Sequence, residues 1–227
     1  MRVAEMLQAA CYTFAQQTDN TRFNHDFILS LNEAMIEFAN YRKWGCLRTV
    51  GDVTTTEDTQ TADVPDDFGM FYDVKGAHRI TDEDDSIVEI VPIDQQYSRN
   101  FSSTEGGLPT KAWVMGDSIY FYPIPDDEYT VTFVYYKRPS EITGASGAIS
   151  DIPSRYHELI KRLVYKRLQE NGYTSDKELV INEKTISKMY SQAVRDDVAT
   201  YGGPVMALYD DSYTTTIGLC NGTKNNS

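Results

Sequence analysis

The feature that most limits the fold is a change of hydrophobic period, from helical to strand-like and back, within one chain of 227 residues. Val3, Met6, Leu7, Ala10 and Phe14 recur at three- and four-residue steps, which places them on one stripe of an α-helix. After the turn cluster Thr18-Asp19-Asn20-Thr21, the residues Phe27, Ile28, Leu31, Ala34, Met35, Phe38 and Tyr41 repeat that spacing in a second helix ending near Trp44-Gly45. Beyond Cys46 the period changes, and residues 46–64 are rich in threonine and valine, which suits strands. Val64-Pro65 closes this stretch and opens a turn or short helix at Asp66-Asp67-Phe68.

Short β runs are expected at Phe71–Val74 and Ile87–Val91, with the charged loop Thr81–Asp85 between them and a brief helix over Gln95–Phe101. The most regular β signal runs from Lys111 to Lys137. Gly116-Asp117 between two aromatic, branched segments is a hairpin signature. Pro123 and Pro125 then fix φ and remove two donors, so the chain turns stiffly before the alternating strand Tyr129–Tyr136. These three strands are expected to form an antiparallel meander, with Tyr120, Tyr122, Tyr129, Tyr135 and Tyr136 read as sheet-packing residues.

Helix returns at Pro153, with the stripe Ile152, Tyr156, Leu159, Ile160, Leu163, Val164 and Leu168 stopped by Asn171-Gly172. A fourth helix, capped by Ser175 or Asp176, turns Leu179, Ile186, Met189, Tyr190, Ala193, Val194 and Val198 inward and is broken by Gly202-Gly203-Pro204. Neither terminal helix pair hides its stripe alone. The expected fold is therefore α+β: an antiparallel helical bundle from residues 1–45 and 150–201, an inserted antiparallel β domain at 46–149, and an extended C-terminal arm at 202–227.

The chemistry-bearing residues are sparse. His25, His78 and His157 form no metal-ligand spacing, and no metal or cofactor is expected. The acidic runs Asp82–Asp85 and Asp126–Glu128 hold the paired carboxylates that glycoside cleavage needs, but several acids in a row within loops read as solvated charge. No phosphate-binding glycine loop or nucleophile elbow is present, so no catalytic residue is assigned. Cys11, Cys46 and Cys220 are odd in number and widely spaced, which argues against a disulfide framework and for a reducing compartment. With 34 acidic against 21 basic residues and a formal charge of −13, most of the surface repels a phosphate backbone. The amino terminus lacks the apolar stretch of a signal peptide, and no membrane span is expected.

Several segments occur in an order that resembles the head-to-tail adaptor, or head-completion, proteins of tailed bacteriophages. They are Leu31-Asn32-Glu33-Ala34, Val64-Pro65-Asp66-Asp67-Phe68, Gly107-Leu108-Pro109, Gly116 through Asp126, Tyr135-Tyr136-Lys137-Arg138-Pro139 and Ile152 through His157. The resemblance covers roughly residues 1 to 201. It implies a non-enzymatic virion protein of the neck, assembled in the host cytoplasm as a homododecameric ring between the portal and a tail tube or nozzle protein, with genomic DNA passing through without specific binding. It also makes the portal the expected receiver of the C-terminal arm. That arm's apolar anchors are Val205, Met206, Leu208 and Tyr209 and, further on, Ile217 and Leu219. A cell-wall hydrolase and a soluble regulatory binding module are the alternatives.

Overall fold

The computed structural model describes residues 2–71, 77–80, 87–91, 106–173 and 183–202. Helix α1, Val3–Thr13, buries Val3, Met6, Leu7, Ala10 and Cys11, and α2, Thr21–Tyr41, buries the stripe from Phe23 to Phe38. Asn20 caps α2, its side-chain oxygen accepting the Phe23 amide at 3.1 Å. At the other end the Trp44 indole donates to the Phe38 carbonyl at 2.5 Å, which satisfies one of the acceptors every helix C-terminus leaves open. Helix α3, His157–Glu170, follows a 3-10 turn at Ser154–Tyr156, and α4 spans Glu183–Tyr201. Gly172 and Gly202 have φ of 89° and 71°, the left-handed conformation that ends helices at little cost for glycine.

Between α2 and α3 the chain forms one eight-stranded sheet: β1 Arg48–Thr54, β2 Thr61–Asp63, β3 Phe68–Phe71, β4 Ala77–Ile80, β5 Ile87–Ile90, β6 Lys111–Met115, β7 Ser118–Tyr122 and β8 Thr130–Lys137. The spatial order is β1-β8-β4-β5-β6-β7-β2, with β3 also paired to β8. Strands β1 and β2 stand at opposite ends of that order, yet only the short connection of residues 55–60, closed by a Thr56–Thr59 bridge, joins them. Seven strands laid flat would span roughly 29 Å at about 4.8 Å each. A hairpin connection cannot cover that distance, so the sheet curls back on itself. One core results, in which Val53 of β1, Val88 and Ile90 of β5, Ala112 of β6, Ile119 and Phe121 of β7, and Val131 and Phe133 of β8 meet.

This architecture corrects three expectations. The chain is α+β, but it is not an antiparallel helical bundle carrying an antiparallel insertion: a mixed sheet with its own core dominates, and β5 and β6 run parallel, Glu89 opposite Lys111. The helical stripes are closed partly by non-helical segments, since Trp44, Leu47, Ile142, Ile149 and Ile152 sit in the same cluster as the helix residues. Irregular connections thus supply surface that a bundle would take from helix alone. The meander is also incomplete. The β6–β7 hairpin forms, Trp113 opposite Tyr120 and Gly116 at φ 66°, but β8 leaves it to pair with β1, β3 and β4. The turn after β7, which opens on a cis Tyr122–Pro123 bond, redirects the chain. The expected helix at Gln95–Phe101, the charged loop at Thr81–Asp85, the cap at Ser175 or Asp176 and the arm beyond Gly202 lie outside the described residues.

Candidate docking surfaces

Helix α4 is fixed to the α2–β1 junction through one buried carboxylate. Asp197 is fully buried and accepts the Gly45 amide at 2.9 Å and the Cys46 amide at 3.3 Å, while the Arg42 guanidinium lies 3.8 Å away. Arg42 is itself buried, donates to the Val194 carbonyl at 3.5 Å and lies over the Trp44 ring. Burial and the nearby Asp197 charge push the Cys46 thiol up to about 12, so it stays protonated and is a poor nucleophile. The last turn of α4 closes against the same place, where Tyr201 packs on Gly45 and beneath the Arg155 guanidinium. The position from which the chain continues beyond Gly202 is thereby set.

The motif residues read from the sequence serve as links between the sheet and the helices. Asn32 clamps the segment after β8, accepting the Ile142 amide at 2.8 Å and donating to its carbonyl at 2.9 Å. Asp67 accepts the Tyr135 hydroxyl at 2.7 Å, and its carbonyl accepts the Arg138 amide at 2.7 Å. Asp151 accepts from Lys137 Nζ at 2.6 Å and from the Ser140 amide at 2.7 Å. Burial alone would raise the Asp151 pKa, but these donors outweigh it and hold the carboxyl below its usual range. Glu33 and Glu37 of α2 both bind Arg167 of α3 at 2.7 Å. Of the tyrosines, Tyr135 is buried, Tyr120 stacks on Trp113 and Tyr129 donates to Asp126.

Two clefts flank β3. The smaller, about 140 Å³, has Ala39, Trp44, Leu47, Met70 and Tyr136 among its walls and carries the cations Arg42, Lys43, Lys137 and Arg138. Arg138 also borders the larger, about 520 Å³, lined by Asp63, Asp66 and Asp117. Exposed apolar side chains lie on α2 (Leu29 and Ile36), on β1 (Val50) and on β3 (Met70). Leu29 and Ile36 are seven residues apart and share one helical face.

Among the residues singled out for chemistry, His157 is buried and bonds the Ile152 carbonyl through Nε2 at 2.7 Å, His25 is exposed, and Asp126–Glu128 form an exposed loop. No group of three or more metal-ligating side chains occurs among the described residues. No described helix is long and apolar enough to cross a membrane. The arm residues Val205, Met206, Leu208, Tyr209, Ile217 and Leu219 are outside the described residues. The sequence reading missed Asp197 and Arg42, although Asp197 follows Tyr190, Ala193 and Val194 on one helical stripe and was legible as a buried charge on that ground.

The family model for the SU10 adaptor protein matches residues 1–208, and the chain belongs to that family of phage adaptors. It is accordingly a structural virion protein, and the resemblance read from its ordered motifs is upheld. No curated protein matches the chain.

Proposed function

We propose that the chain is a connector subunit that joins the capsid portal to the tail in a homododecameric ring and forms part of the channel through which the genome passes. The observation that carries this reading is the adaptor-family match over residues 1–208. A cyclic ring requires each subunit to offer two different complementary faces, and the described surface carries exposed apolar side chains on α2, β1 and β3 and a cleft bearing Arg42, Lys43, Lys137 and Arg138. The −13 charge of each copy opposes self-assembly in isolation and keeps the passing duplex from adhering. The ring therefore forms on the portal, with the opposite face meeting a tail tube or nozzle protein, and the mature location is the neck of the virion.

In this reading residues 202–227 are a portal-docking arm with Val205, Met206, Leu208, Tyr209, Ile217 and Leu219 as its apolar anchors. The last three of these lie beyond the family match. Residues 1–45 with 150–201, and 46–149, are the two folding units that the arm follows. Removal of residues 205–227 is the test. The expected result is an unchanged melting curve with weakened attachment to the portal, and unchanged attachment would reduce the segment to an ordinary terminus.

A further inference from the structure

The antiparallel pair of β1 and β8 carries opposite charges at its two ends. At one end the loops 55–60 and 123–129 are locked together, with the Asp58 amide donating to the Pro125 carbonyl at 2.8 Å and the Thr55 hydroxyl to the Asp127 carbonyl at 3.0 Å. Those loops hold five exposed acids, Glu57, Asp58, Asp126, Asp127 and Glu128, and contain no lysine or arginine. At the other end lie Arg48, opposite Tyr136, and the cleft lined by Arg42, Lys43, Lys137 and Arg138 over Trp44, Met70 and Tyr136. Lys137 and Arg42 are matched there by Asp151 and Asp197. Lys43 and Arg138 have no ion pair among the described residues. A strand of this length separates the two ends by roughly 23 Å at about 3.3 Å per residue, so they cannot neutralise one another within one copy.

We infer that the basic cleft beside Lys43 and Arg138 seats the acidic tip, Glu57–Asp58 with Asp126–Glu128, of a second copy of this chain. The contact is head to tail, because donor end and acceptor end are different surfaces. That is the heterologous geometry from which rings close, so this inference rests on the ring reading and specifies one of its interfaces. The cleft is suited to the task for two reasons. Lys43 and Arg138, without an ion pair among the described residues, are a local reversal on an otherwise acidic molecule, and they steer a like molecule in a preferred orientation. Its apolar walls, half-exposed at Met70 and Tyr136, supply area that becomes buried once the tip is seated.

The test uses the full chain at high concentration, as a mixture of nitrogen-15-labelled and unlabelled protein treated with a water-soluble carbodiimide that joins amines to carboxylates. The expected result is a mixed-isotope peptide linking Lys43 to an acid of the tip. Lys43→Arg should abolish that link while leaving self-association, followed by sedimentation, unchanged. The double variants Lys43→Glu/Arg138→Glu and Glu57→Lys/Glu128→Lys should each weaken association by about tenfold or more, because like charges then face each other, and mixing the two variants should restore it. All these residues are at least partly exposed, so unchanged melting curves confirm that the variants fold. Association indifferent to both reversals, or links mapping elsewhere, would overturn this contact; if the chain alone stays monomeric at every concentration, the same labelled mixture is crosslinked on the portal, and absence of the Lys43 link there would overturn it. Any of those outcomes leaves the ring reading to be judged separately on the portal, and a Lys43 link in a protein that makes no ring on the portal would refute that reading instead.

Discussion

The carboxylate of Asp197, near the end of α4, accepts the backbone amide of Gly45 at 2.9 Å and so joins residues 152 positions apart in sequence. The Asp197 carboxylate is buried, and so is the Arg42 guanidinium beside it. Taking one partner from a buried ion pair leaves an uncompensated charge in a low-dielectric site. Asp197→Ala is expected to destabilise the fold by about 3–5 kcal/mol, measured by urea denaturation. A cost below about 1 kcal/mol would mean that water reaches Arg42 and that α4 is held by its apolar stripe alone.

Gly45 reports on the same junction by a different mechanism. A Cβ placed there would overlap the Cβ of Tyr201, so Gly45→Ala requires the last turn of α4 to shift. The expected cost is about 1–3 kcal/mol, typical of overpacking, with a lowered melting temperature. Pairing the substitution with Tyr201→Gly should recover part of that loss, because the overlapping Cβ is removed together with the ring. Full additivity of the two changes would contradict the contact.

Phe38 tests the helical core. It is fully buried, stacks on Trp44 with ring centroids 4.2 Å apart and touches Tyr156. Phe38→Ala should cost about 3–5 kcal/mol by loss of buried surface and creation of a cavity. Near-ultraviolet circular dichroism should change with it, since Trp44 loses its stacking partner.

A pH effect follows from His157. Burial lowers its pKa, partly offset by hydrogen bonds that the ring donates to the Ile152 and Ile149 carbonyls, so the folded protein holds the ring neutral below the pH at which the unfolded chain takes up a proton. The unfolded state then binds more protons in that interval, and stability falls as pH drops below about 6.5, levelling off once the folded ring is also protonated. Denaturation between neutral and mildly acidic pH should show this slope, and His157→Gln should flatten it. An identical slope in the variant would assign the effect elsewhere.

Helix positions and their inward stripes were legible from periodicity, because a stripe such as Phe27, Leu31, Ala34 and Phe38 has one way to be buried. Strand partnership was not. The alternation in β8 sets Val131, Phe133 and Tyr135 on the inner face but says nothing of which strands lie beside it, and sequence neighbours gave the wrong partner in β7. The dominance of the curled sheet over the bundle was hidden for the same reason, since closure depends on the short β1–β2 connection meeting the far edge. The ordered motifs pointed to the family. Their physical roles, such as the two-way hydrogen bonding of Asn32 with Ile142, became visible only with the contacts in place. Asp197 reads in the sequence as one more surface acid, although its place on the stripe of Tyr190 and Val194 marked it as buried.

The connector reading itself is tested most directly by the mass of the assembly formed when the full chain is mixed with purified portal, measured beside the chain alone at low salt. The account predicts a monomer in dilute, low-salt solution, where repulsion between copies of charge −13 is least screened, and a homododecameric ring on the portal. A tight dimer persisting unchanged under both conditions would contradict it.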